Sequence, residues 1–245
     1  MTANGALLFG RYAFPPNQLG YCGPSDHQAI FDYVASGSTD RGLIELERRF
    51  EGAYPYLVLI AHANEIADPF DERVVEAYWI GNRMLDRVQP AQFHTSLKAR
   101  FGPKMNTRTF EQLAGKMNFA RPHHNFHVFD IYTRAGFMND ERAVVALNVM
   151  DSCRISWGEV VAVEDHELVV QRPPLVLEEG KLALGAPQPA RVTWQLDRAS
   201  LFSQPHPGDR VSIHWSWACD VLTPARFANL EYNTSHYAKL ANQTL

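Results

Sequence analysis

The hydrophobic period of this chain changes once along its length, and that change bounds what the chain can fold into. Up to about residue 120 the apolar residues recur at helical spacing, and beyond Arg154 they alternate as in strands that bury one face. There is no internal repeat and no low-complexity tract. The expected class is therefore α+β, with a mainly helical N-terminal domain over 1–145 followed by a small OB-like β-barrel over 150–245 that ends in a C-terminal helix.

Within the first part, residues 1–24 are rich in turn formers, including Pro15-Pro16-Asn17, and are expected as an ordered arm rather than a helix. Ser25-Asp26 can cap a helix from His27 to about Ser36, and Thr39-Asp40 a second one carrying Leu43, Ile44, Leu46 and Phe50. Tyr54 to Ala67 is nearly all apolar with an early proline and reads as a buried helix. Asp68 to Asp71 opens another, running through Val74, Tyr78, Trp79 and Leu85 until Pro90 ends it, and further helix is expected over about 91–101 and 107–118.

After Pro122 the stretch 124–136 alternates and is aromatic-rich, and Arg142 to Met150 is another apolar run. Two strands flank a polar turn at Glu164-Asp165-His166, with Cys153 at the entrance of the first; 190–196 and 209–217 read as two more, and 173–190 holds a further short strand or two. Thr223-Pro224 sets a capping hydroxyl before a first-turn proline. The helix it starts carries Phe227, Leu230, Tyr237 and Leu240 on or near one face.

Composition narrows the class further. With 46% hydrophobic and 20% charged residues the chain can bury a sizeable core, and Lys+Arg 23 against Asp+Glu 27 gives a formal charge of -4, which does not suggest a nucleic-acid binder. The longest apolar stretch, Tyr56 to Ala63, is far shorter than the ~20 residues of a membrane-spanning helix. No secretory signal pattern opens the chain. Cys22, Cys153 and Cys219 are odd in number and widely spaced, so the expected compartment is a reducing cytoplasm.

The segment Cys153-Arg-Ile-Ser-Trp157-Gly158-Glu-Val160, together with Pro207-Gly208-Asp209-Arg210-Val211 and His214 to Ala218, resembles the HypC/HupF family of [NiFe]-hydrogenase maturation chaperones. A cysteine motif, a hairpin, a Gly-Asp turn, a histidine in the last strand and a terminal helix occur in the family's order. Trp157 stands where the family has proline, and Cys153 is internal rather than N-terminal, so the resemblance implies a fused relative. It further implies that the Cys153 thiolate holds an iron fragment carrying cyanide and carbon monoxide, that His214 supports it, and that the partners are a HypD-like maturation protein or the hydrogenase large-subunit precursor. A soft thiolate suits low-valent iron. The run Gly10 to Pro24 resembles an uncharacterised bacterial family.

A second candidate lies outside that resemblance. His123 and His127 share a face if Pro122-His-His-Asn-Phe-His127 is helical, and again if it is extended, so either geometry permits a metal or haem site. Cys22, on the turn Tyr21-Cys22-Gly23-Pro24, could add a thiolate, and His27, His62 or Glu76 a further ligand, which would make the chain a metalloenzyme or metal-binding protein with its site in the helical part. The bland alternatives are a hydrogen-bonded interior histidine cluster and a cysteine packed beneath a turn. Cys219 reads as core, and Glu76 as a capping or pairing acid. No HExxH, Walker loop, GxGxxG or GxSxG occurs.

Overall fold

The computed structural model describes residues 3–131 and 143–245. Its first element corrects the sequence expectation, because Ala3–Gln18 is a helix, α1, rather than an arm. Ala6, Leu8, Phe9, Tyr12, Ala13 and Phe14 are all buried, so the helix is covered around most of its circumference, and that burial outweighs the weak helix propensity of its glycines and prolines. Gly5 is there for close approach: a Cβ at this position would run into the Phe70 carbonyl. Pro15 and Pro16 sit in the last turn, and neither has an N–H to donate to the carbonyl four residues back.

Around α1 pack α2 (His27–Ser36), α3 (Arg41–Arg48), α4 (Tyr54–Ala63) and α5 (Glu72–Trp79). Asp40 caps α3 by accepting from the Gly42 and Leu43 amides, whereas Asp26 makes no such bond at α2. The helix expected to run from Asp71 to Pro90 stops at Trp79. Gly81 follows with φ +97°, and any Cβ there would strike the Asn233 amide, so the chain turns and re-enters as a 3-10 turn over Arg83–Arg87. Pro90 then opens α6 (Pro90–Phe101) instead of ending a helix, and α7 (Thr107–Ala114) is shorter than expected.

As far as residue 131, the alternating stretch after Pro122 is not extended. It forms the short α8 (His124–Phe126) and a π-helical turn over 127–131; its remainder, 132–136, lies outside the described residues. α9 (Ala143–Cys153) crosses the expected junction at 145–150, which puts Cys153 at a helix end and not at a strand entrance. The strands are β1 (Ser156–Val163), β2 (Glu167–Arg172), β3 (Leu175–Glu178), β4 (Lys181–Leu184), β5 (Gln188–Thr193), β6 (Gln195–Leu196), β7 (Ala199–Ser200), β8 (Arg210–His214) and β9 (Trp217–Val221), followed by α10 (Pro224–Ala241). The run 209–217, read as one strand, is the start of a hairpin: Trp215 and Ser216 have φ of 47° and 63° and reverse the chain.

The larger sheet is mixed and its order, β1-β2-β5-β9-β8, returns on itself: β8 pairs back to β1, and β5 meets β9 in parallel through Thr193 and Trp217. Helices and strands share one buried cluster, in which Phe14 of α1 meets Trp217 of β9 edge-on at 5.2 Å and Trp157 of β1 meets Phe227 of α10 at 5.6 Å. Polar ties cross the same boundary. Asp220 on β9 pairs with Arg11 of α1 at 3.1 Å and with Arg226 of α10 at 2.7 Å, and Arg226 reaches Glu76 of α5 at 3.2 Å. Among the described residues no helix is long and apolar enough to cross a membrane.

Candidate metal centre

The seam between helices and strands gathers His124, Cys153 and His214, whose ligand atoms all lie within 4.8 Å of one another. Each is aimed by local structure. His123 caps α8 by accepting the Asn125 amide at its Nδ1 (3.0 Å), and Asn125 donates to Thr234 on α10 (2.9 Å), which fixes the turn presenting His124. Cys153 ends α9, and the preceding carbonyl, Ser152, accepts the Trp215 amide at 2.9 Å. That bond ties the β8–β9 turn to the end of α9, bringing His214, the last residue of β8, to the thiol. The two imidazoles meet edge to face with ring centres 5.2 Å apart, and Trp79 packs against both.

A carbonyl only accepts, so the proton of each imidazole can be placed. His214 Nδ1–H donates to the Tyr12 carbonyl at 2.7 Å, leaving Nε2 with a buried lone pair and no partner. His124 Nε2–H donates to the Cys153 carbonyl at 2.7 Å, so its Nδ1 accepts from the Tyr78 hydroxyl at 3.2 Å. An imidazole whose outer nitrogen donates to a main-chain carbonyl is the arrangement that orients metal-binding histidines. Burial lowers His124 to about 4 and holds His214 well below its ordinary 6.5, so neither carries a competing proton at neutral pH. Burial also pushes the Cys153 thiol up to about 12, partly offset by the Trp215 side chain, so a metal would bind by displacing that proton. Two imidazoles and a thiolate suit zinc, iron or copper. Bonds of about 2.0–2.3 Å require the side chains to close in on the ion.

The three residues line a cavity of about 170 Å³ together with Tyr78, Trp79 and Trp215. Tyr21, 62% exposed, stacks on Trp215 at 4.2 Å, and both line that cavity, so the pair stands between it and solvent. The Tyr21 loop is held by Asn17, whose side chain donates to the Cys22 and Pro24 carbonyls at 2.6 Å each. Trp215 keeps its positive φ although it is bulky, a strained choice of the kind found at working sites.

The structure thus brings Cys153 and His214 together but separates His123 and His127. His123 is fully buried and stacks on Tyr237 at 5.3 Å, away from the thiol; His127 and the exposed Cys22 line the cavity without joining the group of converging ligand atoms. The residue that completes the trio, His124, sits inside the histidine run. Once His123 is the cap of a helical turn, its neighbour faces elsewhere, and this is the signal that could have singled it out. Cys219 is core, and Glu76 pairs with Arg226.

The model of the family of unknown function DUF6390 matches residues 1–245. The chain belongs to the DUF6390 family. Its match runs through helices and strands alike, in keeping with the core they share. No curated protein and no solved structure matches this DUF6390 chain.

The buried histidines predict acid lability. Burial holds His123 and His127 at about 3 and His124 at about 4, with His214 also depressed. As pH falls from about 6.5 toward 4, the unfolded chain takes up protons that these sites refuse, so stability present above 6.5 is lost. Each histidine contributes a slope of up to about 1.4 kcal/mol per pH unit. Urea unfolding of the metal-free protein at neutral pH and near pH 5 should show a loss of several kcal/mol, and equal stabilities would contradict the assignment.

Proposed function

We propose that this protein holds a transition metal at Cys153, His214 and His124 and acts as an accessory protein of [NiFe]-hydrogenase assembly. The observation that carries the metal reading is the convergence of a thiol and two imidazoles, within 4.8 Å, from α8, α9 and β8. The hydrogenase reading rests on the resemblance of the C-terminal part to the HypC/HupF chaperones. The returning strand order supports an OB-like barrel, and the closeness of Cys153 to His214 supports that family's cysteine and histidine as a working pair.

In this reading the cargo is an iron fragment with cyanide and carbon monoxide ligands, held transiently and exchanged in the cytoplasm with a HypD-like protein or the large-subunit precursor. The cavity, walled largely by aromatic side chains, leaves room for small ligands on the ion. The helical part, joined to the strand part along the seam, supplies what a stand-alone barrel lacks: a second imidazole, His124, and the Tyr21 cover over the cavity. A metal or haem site built on His123, His127 and Cys22 has less support, because these residues stand outside the converging group.

The test is genetic. Cells in which Cys153→Ala replaces the wild-type chain should make the protein at its normal level yet lose hydrogenase activity. Normal activity in those cells would overturn the carrier role.

A further inference from the structure

A second recess lies apart from the metal centre. It occupies about 430 Å³ between the 3-10 turn after α5, the segment that follows α7, and α10. Two arginines line it, Arg83 and Arg121, and among the described residues neither is within ion-pair distance of a carboxylate. Arg121 is positioned by its own surroundings: one terminal nitrogen donates to the Asn118 and Ala120 carbonyls at 3.2 and 2.8 Å, while its Nε is buried without an acceptor. Opposite stands α10, whose His236 Nε2–H donates to the Phe119 carbonyl at 2.8 Å and so ties the two walls together. Phe119 and Tyr232 line the recess while remaining 61% and 67% exposed.

Guanidinium groups without a carboxylate partner, one of them with an unmet buried N–H, call for an oxyanion, because a planar fork of donors matches carboxylate and phosphate oxygens. Exposed aromatic faces beside them call for a flat apolar body, which would cover surface now left to water. We propose that this recess binds a small molecule that carries a carboxylate or phosphate on an aromatic ring, with Arg83 and Arg121 on the oxyanion and Tyr232 and Phe119 against the ring. Asp86 also lines the recess and opposes the anion, which sets a limit on affinity and supplies a test of sign.

The experiment titrates the full chain with phenyl phosphate, benzoate and benzyl alcohol, by calorimetry and by NMR. At least one of the two anions should bind in the millimolar range or tighter and shift the signals of Arg83, Arg121 and Tyr232; which one binds distinguishes the phosphate from the carboxylate source. Benzyl alcohol should bind at least about tenfold more weakly, as the loss of charge-assisted hydrogen bonds requires. Arg83→Ala, an exposed position where folding is not at stake, should weaken anion binding by a similar factor, and Asp86→Asn should tighten it severalfold. The proposal is overturned if neither anion binds, if benzyl alcohol binds equally well, or if Arg83→Ala changes nothing.

Discussion

Cys153→Ala is expected to give a folded protein that has lost its metal. Cys153 is half-buried, ends α9 and borders a cavity, so removing its sulfur enlarges a space that already exists and costs little packing. The effect on binding is large. Loss of an outer-shell partner alone weakens metal sites by about 10–100-fold, and here one of the three proposed ligands is itself removed. Titration with cobalt(II) reads both consequences: wild type should develop the thiolate-to-metal absorption and release protons on binding, and the variant should do neither while keeping its circular dichroism. His214→Ala should also lose affinity, since its Nε2 is the lone pair left without a partner. Unchanged cobalt affinity in either variant would remove the site.

Asp151→Ala is expected to cause the largest loss of stability. Its carboxylate accepts from Arg154 Nε at 3.0 Å, from Arg172 at 2.7 and 3.0 Å, and from the Leu175 amide at 2.8 Å, so one side chain joins α9 to β2 and β3. These partners outweigh burial and hold the Asp151 carboxyl below its usual range. Arg154 is fully buried, with its remaining contact to protein oxygen at the Pro173 carbonyl, 2.6 Å away. Removing the acid strands that guanidinium, and breaking a buried pair from one side costs about 3–5 kcal/mol. For a chain of this size the midpoint of thermal unfolding should fall by roughly 10 °C. Arg154→Met in the same chain should restore part of the loss, because it removes the stranded charge. A loss below about 1 kcal/mol, the worth of an exposed pair, would show that the network is not what holds α9. Because Cys153 lies two residues beyond Asp151, the variant should bind metal more weakly as well.

How much of this was legible in the sequence differs between the parts. The hairpin around Glu164 to His166, the short strands within 173–190 and the start of α10 at Thr223-Pro224 follow from alternation and capping alone, and the structure has them. α1 was illegible for a physical reason: its glycines and prolines argue locally against helix, and only the buried surroundings of Phe9, Tyr12 and Phe14 make helix the better state. The aromatic alternation after Pro122 left helix and strand open, because period alone does not separate a short buried helix from a strand. At the site, Cys153 and His214 were named from their motifs, whereas His124 depended on which histidine became the cap of α8. The pairing of α9 with the β8–β9 turn, through Trp215 and Ser152, is a long-range contact that no local pattern announces.

Whether Cys153 holds the iron fragment is decided by metal analysis of the protein purified without oxygen, with infrared spectra in the region where iron-bound cyanide and carbon monoxide absorb, run beside Cys153→Ala. Iron with those bands is expected in the wild type, and loss of both in the variant. Wild-type protein free of metal, or metal retained by Cys153→Ala, would contradict that role.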